Sequence, residues 1–153
     1  MSNPLKCYLA APWSDRDQAI IAAHRLRAAG FEVTSRWLTH DGDSMNGMDI
    51  ESTRLQEAAL RDIEDVLNSH VMILLNTQPR GHETSGKAVE MGIALVTCKG
   101  IIVVGERTNI FHHLGAIPVV PTLDDAIVEL KQWKPIEIDL GVTSMLAADR
   151  RNP

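Results

Sequence analysis

Two carboxylates, Glu90 and Asp62, are the residues of this sequence whose setting best suits chemistry. Glu90 lies in the first turns of a predicted helix, with Gly86 one turn before it and Ala94 one turn after it. Small residues on the same helical face leave room for a ligand beside the carboxylate. The simpler interpretation is a solvated Glu near a helix N-terminus, where negative charge is mildly favourable.

The apolar residues of the Glu90 helix predict which of its faces is buried. Val89, Ile93 and Val96 recur at positions i, i+4 and i+7. This spacing is typical of a helical face that packs on a core, so we expect these three side chains to point inward.

Asp62 occupies a core-facing position in the preceding predicted helix. Leu55, Ala59 and Val66 fall at i, i+4 and i+11, and Asp62 fills i+7 of the same stripe. A carboxylate there must find hydrogen bonds or accept a raised pKa. Asp62 then has two interpretations. It caps a neighbouring loop, or it serves in proton transfer or in binding a polar ligand. A paired Asp and Glu in different surroundings is the arrangement that cleaves glycosidic bonds.

Several common motifs are absent. No GxGxxG follows the first predicted strand, which argues against a dinucleotide, and there is no GxxxxGK[ST] phosphate loop. There is also no Gly-x-Ser-x-Gly elbow. His112 and His113 are adjacent, and neighbouring residues on a helix point apart, so we expect an ordinary loop pair and no metal site. We also expect no cofactor.

Alternating strands and helices must position these carboxylates. Strands are predicted at 5–11, 31–37, 70–75, 100–105 and 117–120, and helices at 15–29, 50–68, from about 86 through 96, and at 123–133. Such βαβ units close right-handed into a parallel sheet. The predicted fold class is therefore α/β, a small doubly wound (Rossmann/flavodoxin-like) five-stranded parallel sheet with helices on both faces.

The first predicted helix has clear end signals. Ser14 is expected to be its N-cap and Gly30 to end it. Its apolar face is predicted from Ala19, Ala22, Ala23 and Leu26. The polar segment 39–49 is predicted to be a surface loop, long enough to act as a lid.

Ligands of doubly wound folds bind beyond the carboxyl ends of the strands, near the reversal of strand order. The residues to inspect are therefore those just after each strand, at 12–16, 37–41, 76–85 and 106–113.

Length and charge set the broad class. The 153 residues predict one domain over 1–135 followed by a tail, 136–153. The net charge of −5 argues against a nucleic-acid polymer as partner. No apolar run reaches membrane-spanning length, and nothing at the N-terminus resembles a signal peptide. Cys7 and Cys98 lack metal-ligand spacing, so we expect reduced, mostly buried thiols in a cytoplasmic protein.

Four segments, in order and at matching spacing from about 6 to 126, resemble the nucleoside 2-deoxyribosyltransferase family, which includes relatives that hydrolyse deoxynucleotide N-glycosidic bonds. KCYLAAPWSDRDQ is similar to the family's first strand and loop, and RDIEDVLNSHVMILL to a helix-strand unit. VEMGIALVTCKGIIVV is similar to the family's Glu-Leu-Gly-x-Ala helix and following strand, and RTNIF to a segment at a subunit contact.

The resemblance implies roles for four residues. Glu90 matches the nucleophile, and Tyr8 the active-site tyrosine that would orient it by a hydrogen bond. Asp62 matches the Asp that contacts the nucleobase and would protonate or hydrogen-bond the departing base. Asn109 matches an Asn that reaches into a neighbouring subunit's active site, so we expect a homodimer or higher homo-oligomer with shared sites. The simpler alternative is that Asn109 only caps the short helix it precedes. Exposed Ile110 and Phe111 would fit such a contact surface.

The sequence also departs from the family pattern. Thr84 stands where many members carry Asp, although hydrolase relatives tolerate Ser there, and His70 replaces the Asp that opens the third strand. Met91 replaces a more frequent Leu, and the tail lacks the transferases' aromatic C-terminus. The base, the 5′-phosphorylation state, and the choice between transfer and hydrolysis stay open. A non-catalytic nucleotide-binding or sensing module and a ribonucleotide N-glycosidase are the alternative functions.

Further candidates for binding a nucleoside or nucleotide lie at the strand ends. Trp13 or Trp37 stacks on a base or simply fills the core or rim. Ser14 and Arg16 contact a 5′-phosphate or serve as helix cap and surface charge. Thr84, Ser85 and Gly86 are the last candidates, and they too either contact the ligand or are ordinary residues at the start of a helix.

Overall fold

The computed structural model describes residues 3–39, 52–77 and 85–134. The predicted lid loop, Thr84 and the tail 136–153 lie outside the described residues.

Five parallel strands form one sheet. They are β1 (Lys6–Ala10), β2 (Glu32–Val33), β3 (Val71–Asn76), β4 (Gly100–Gly105) and β5 (Val119–Val120). Their order is β2-β1-β3-β4-β5, and every neighbouring pair is parallel. The predicted α/β class with a parallel five-stranded sheet is confirmed. The chain leaves β1 toward β2 on one side and reaches β3 on the other, so the strand order reverses between β1 and β3.

Four helices cover the two faces of the sheet: α1 (Arg16–Ala28), α2 (Ser52–Leu67), α3 (Ser85–Val96) and α4 (Leu123–Gln132). Alternation of side chains along β1 explains this division, because Cys7 and Leu9 point to one face and Tyr8 and Ala10 to the other. The first core contains α1 and α4 residues, including the predicted face Ala19, Ala22, Ala23 and Leu26. The second core contains Val66 of α2 and Met91 and Ala94 of α3.

The second strand is much shorter than predicted. Only Glu32–Val33 pairs with β1, and Arg36–Leu38 is a 3-10 turn. Beyond Val33, hydrogen bonds made by the Ser35 and Asp65 side chains replace backbone pairing between β2 and β1. The Ser35 hydroxyl accepts a hydrogen bond from the Leu9 amide at 2.6 Å and donates one to the Leu9 carbonyl at 3.2 Å. The Asp65 carboxylate accepts from the Arg36 amide at 2.8 Å, which draws the chain toward α2.

The start of α1 also differs from the prediction. A 3-10 turn over Trp13–Asp15 precedes the helix, and Asp15 occupies the N-cap position without a side-chain capping bond. Ser14 is therefore not the N-cap. The predicted end is confirmed, because Gly30 follows the last turn with φ of +95°.

The predicted buried face of α3 is wrong for Val89 and Val96, which are 60% and 70% exposed. Ile93 is partly buried and packs against the second core, whereas the buried residues are Lys87, Met91 and Ala94. The buried residues have the same i, i+4, i+7 spacing on a different face of the helix. A hydrogen bond explains why this other face is buried. The Lys87 amine donates to the Asn76 side chain at 2.8 Å, and this bond turns Lys87 toward the sheet. Cys98, expected to be mostly buried, is exposed and has φ of +55°.

Gly105 is the position where the fold most directly requires a glycine. Its φ is +103°, and a Cβ there would lie 2.1 Å from the Asn76 carbonyl oxygen. We expect Gly105→Ala to lower the free energy of unfolding by about 2–4 kcal/mol, because Ala adds both backbone strain and a clash with main-chain atoms. Urea unfolding measures the change.

Gly30→Ala is the matched control, because Gly30 has a similar φ of +95° but open space around the added Cβ. It should cost only about 1 kcal/mol. If the two variants lost the same free energy of unfolding, the close approach of Gly105 to Asn76 would not contribute to the cost.

Candidate active site

A hydrogen bond between β1 and α3 lies at the centre of the site. The Tyr8 hydroxyl donates to Glu90 Oε1 at 2.7 Å. Tyr8 is fully buried on the sheet face that α2 and α3 cover, while Glu90 remains partly exposed. The pair therefore combines a fixed buried donor with a carboxylate that a ligand can reach.

Asp62 is the third group of this site. It is partly exposed on α2, the helix that packs beside α3, and its charge raises the pKa of both Tyr8 and Glu90. The structure thus brings together the three residues predicted to be catalytic. The stripe that positions Asp62 differs from the predicted one, since Ala59 is exposed and Ala58 is partly buried.

Burial raises the pKa of the Glu90 carboxyl from 4.5 to about 7. The hydrogen bond from Tyr8 lowers the Glu90 pKa, the negative charge of Asp62 raises it, and the positive charge of Lys87 lowers it. The pKa of Tyr8 is raised as well, first by burial and then by the charges of Glu90 and Asp62. Tyr8 therefore stays protonated and donates to Glu90 across the physiological pH range.

Two tryptophans and an arginine gather beyond the carboxyl end of β1. The ring centroids of Trp13 and Trp37 are 6.2 Å apart with planes tilted by 44°, and the Arg16 guanidinium carbon lies 5.3 Å from the Trp13 ring. The Trp37 indole N–H donates to the Leu9 carbonyl at 2.9 Å, and Arg16 Nη2 donates to the Leu38 carbonyl at 2.8 Å. Both tryptophans are partly exposed.

Asp65, which the sequence analysis did not single out, fixes the turn that carries Trp37. Its carboxylate is buried and accepts hydrogen bonds from the Arg36 amide at 2.8 Å and from Arg36 Nε at 2.6 Å. Arg36 also pairs with Glu64, and the Thr34 hydroxyl donates to the Asp65 carbonyl at 3.0 Å. The sequence does contain a signal for Asp65. It lies three residues after Asp62 and next to Val66, which places it on the inward side of α2.

A second polar cluster, which we call the β3-end cluster, consists of the buried residues Asn76, Lys87 and His112. Lys87 Nζ donates to Asn76 Oδ1 at 2.8 Å, and Asn76 Nδ2 donates to the Glu106 carbonyl at 3.2 Å. His112 Nδ1 accepts from the Thr108 amide at 3.1 Å. With Leu74, Ala88, Met91 and Asn109, the cluster lines a small cleft.

The sequence analysis missed Lys87 and did not single out Asn76, although Asn76 begins the range 76–85 that it marked for inspection. The available signals were an amide side chain at the carboxyl end of a wholly apolar strand and a lysine three residues before Glu90. It also treated His112 as one of an ordinary loop pair, yet only His112 is buried and His113 is exposed.

Asn109 caps a turn of its own chain. Its side-chain oxygen accepts hydrogen bonds from the Phe111 amide at 2.9 Å and the His112 amide at 3.3 Å, at the start of the 3-10 turn Ile110–His113. This is the capping role considered in the sequence analysis. Ile110 and Phe111 are exposed by 78% and 54%, as expected.

The remaining predicted binding residues that the structure describes are exposed. Ser85 and Gly86 begin α3 and are exposed, and a Cβ on Gly86 would meet open space. Ser14 is exposed, and its hydroxyl donates to Asp15 at 3.3 Å. Within 3–39, 52–77 and 85–134, no three His, Cys, Asp or Glu residues are grouped to hold a metal ion. No helix in these same ranges is long and apolar enough to cross a membrane.

The chain resembles known proteins in its structure but not detectably in its sequence. The sequence matches no protein-family model and no curated protein. Among solved structures, a 2-deoxyribosyltransferase from Bacillus psychrosaccharolyticus aligns with a TM-score of 0.60 at 15% identity, covering 92% of this chain and 95% of that one. The chain shares the fold of 2-deoxyribosyltransferases.

Two other structures extend the likeness. A conserved protein from Enterococcus faecalis V583 aligns with a TM-score of 0.60 at 16% identity, covering 85% of this chain and 99% of that one. A CMP N-glycosidase from Clostridium botulinum aligns with a TM-score of 0.50 at 15% identity, covering 84% and 99%. The predicted resemblance to the 2-deoxyribosyltransferases and their N-glycosidase relatives is thus confirmed at the level of the fold.

The raised pKa of Glu90 has a consequence for stability. Between its ordinary pKa of 4.5 and about 7, the folded protein keeps a proton that the unfolded chain has lost, so this group lowers stability as pH rises. We expect Glu90→Gln to raise the free energy of unfolding by about 1–3 kcal/mol at pH 8, with the gain vanishing near pH 4. Urea unfolding at both pH values measures the difference.

Glu129→Gln, an exposed position on α4 across the sheet, is the control and should show no such pH-dependent gain. A Glu90→Gln effect that is the same at pH 4 and pH 8 would contradict the raised pKa.

Proposed function

We propose that this protein cleaves the N-glycosidic bond of a 2′-deoxynucleoside or its 5′-monophosphate through a covalent glycosyl-Glu90 intermediate. The sugar then passes to another base or to water. The observation that carries the proposal is the hydrogen bond from Tyr8 to Glu90 at 2.7 Å, beside Asp62. A Glu and an Asp in different surroundings at the strand-order reversal suit glycosidic cleavage.

In the first step, a Glu90 carboxylate oxygen attacks the anomeric carbon of the sugar. The carbon–nitrogen bond breaks, and its electron pair leaves with the base. The reaction passes through a state with oxocarbenium character, which the missing 2′-hydroxyl makes easier to reach. Tyr8 holds one carboxylate oxygen, so the other is directed toward the ligand.

Asp62 is the candidate for handling the proton. A protonated Asp62 would donate a hydrogen bond or a proton to a ring nitrogen of the departing base, which avoids release of an anionic base. In the second step, a base or water attacks the anomeric carbon, the ester bond to Glu90 breaks, and Asp62 recovers the proton. Two displacements at the same carbon give net retention of configuration.

The tryptophan pair offers a surface for the base. Trp13 and Trp37 expose ring surface beyond β1, and base–aromatic stacking needs little more than such a surface. Arg16 and Ser14 are the candidates for polar contacts at this end. Ser85 and Gly86, at the N-terminus of α3, and Thr84 just before it are the candidates for contacts with the sugar or a 5′-phosphate.

A ribonucleotide N-glycosidase is the second candidate, because a CMP N-glycosidase is among the proteins that share the fold. The two candidates differ in whether the substrate carries a 2′-hydroxyl. Chromatographic detection of free base from a panel of deoxy- and ribonucleosides and their 5′-monophosphates separates them. A protein that binds nucleotides in calorimetry but releases no base from any of them would instead be a sensing module.

Glu90→Gln and Glu90→Ala are expected to reduce base release by at least about 1,000-fold while the protein stays folded, because no nucleophile remains. Mass spectrometry of wild-type protein quenched during turnover should find one glycosyl group added to Glu90. Glu129→Gln is the control for substitution of a carboxylate and should keep wild-type activity. Near-normal base release by either Glu90 variant would refute the assignment.

We also propose that the protein is at least a dimer and that Asn109 completes the site of a neighbouring subunit. The motivation is the exposed apolar pair Ile110 and Phe111 directly after Asn109. In Asn109→Ser a hydroxyl can still accept the capping bonds, so the variant should fold yet lose the amide group. Mixing it with Glu90→Gln protein should restore base release, because a mixed dimer contains one complete site.

Light scattering of the wild type and a check of subunit exchange belong to the same experiment. An active monomer, or no recovery after verified exchange, would exclude a shared site.

A further inference from the structure

Lys87 is a buried cation one turn before the candidate nucleophile. It is only 7% exposed, although lysine is rarely buried without a specific partner. Side chains three residues apart on a helix are roughly 5–6 Å apart at their Cβ atoms, so Lys87 and Glu90 are neighbours on α3.

The β3-end cluster fixes where that charge lies. Asn76 Oδ1 accepts the hydrogen bond from Lys87 Nζ at 2.8 Å. The amide nitrogen of Asn76 donates to the Glu106 carbonyl at 3.2 Å and to the Thr108 hydroxyl at 3.1 Å, so the oxygen must face Lys87. The orientation of Asn76 is therefore determined by the chain beyond β4, and the Lys87 ammonium is held against a neutral acceptor.

We propose that Lys87 is a positioning residue for Glu90: anchored by Asn76, it fixes the first turns of α3 on the sheet and supplies a positive charge that favours the carboxylate form of Glu90. Asn76 is a neutral partner, so this hydrogen bond satisfies an ammonium hydrogen without cancelling the charge. The catalytic part of this inference rests on the proposed function, whereas the effect on Glu90 does not.

The charges around Glu90 explain why such a cation matters. Tyr8 faces Glu90 from β1 as a neutral donor, and Asp62 acts from α2 as a negative charge that opposes ionisation. Lys87 acts from α3 as a positive charge that favours ionisation. Burial already opposes the carboxylate form, so losing Lys87 would leave burial and Asp62 balanced only by the Tyr8 hydrogen bond.

The experiment measures the Glu90 carboxyl directly by ¹³C NMR titration of the free protein, with Glu90→Gln to assign the signal. Lys87→Met should raise the Glu90 pKa by roughly one unit or more, while Lys87→Arg should keep it near the wild-type value. Tyr8→Phe is the positive control, since it removes a hydrogen bond that lowers the same pKa. Lys131→Met, exposed on α4, is the neutral control.

Activity adds a second measurement. In Lys87→Met, kcat/KM for base release should fall about tenfold or more at pH 6 but recover toward wild type at pH 9, where Glu90 is ionised in both proteins. Loss of packing alone would reduce kcat/KM equally at both pH values.

Asn76→Asp provides an independent variant if Lys87→Met does not fold. The new carboxylate would cancel the Lys87 charge while keeping the contact, so the Glu90 pKa should again rise. An unchanged Glu90 pKa in both Lys87→Met and Asn76→Asp would overturn the inference. If wild-type protein releases no base, the proposed function fails, but the NMR titration still decides the role of Lys87.

Discussion

The candidate site depends on a carboxylate that is held partly out of water. Glu90 would be an ordinary acid on a helix surface if α3 did not pack it over β1, where Tyr8 is completely buried. Burial raises the pKa of Glu90 to about 7, and the Tyr8 hydroxyl limits this rise by bonding to the charged form. In the proposed reaction, the same desolvation that costs stability would leave the carboxylate less water to shed before it attacks. Stability and reactivity would then be opposed at this one residue, as is common at enzyme sites.

The sheet topology decides which residues can act on that carboxylate. Because β1 lies between β2 and β3, the chain segments after β1 and β3 diverge to opposite sides and leave a crevice at the carboxyl ends of the strands. Tryptophans from two successive connections meet there, and α2 brings Asp62 to the same side. In the β3-end cluster, Lys87 and Asn76 join α3 to the carboxyl end of β3. Polar contacts from both β1 and β3 therefore hold this helix on the sheet.

Local patterns predicted the fold well, and the errors have a common cause. The buried runs of β3 and β4 and the alanine face of α1 follow directly from side-chain periodicity, and the structure contains them. The second strand and the buried face of α3 were wrong because polar side chains overruled periodicity there. Asp65 draws Arg36 off the strand path, and Asn76 turns Lys87 toward the sheet. Each partner is distant in sequence, and a pattern of apolar residues contains no information about such pairs.

The sequence by itself determined that this chain is an α/β protein with a parallel sheet, and it identified Asp62 and Glu90 as candidates for one site. Tyr8 was added to them only by the resemblance to the 2-deoxyribosyltransferase family. Strand and helix periods are local properties, and the carboxyl ends of parallel strands must share one edge. Only the tertiary structure decided that the Tyr8 hydroxyl bonds Glu90 and that Lys87 is buried. These facts depend on how α2 and α3 are rotated on the sheet. That rotation is set by long-range hydrogen bonds and desolvation, which no single segment of the chain contains.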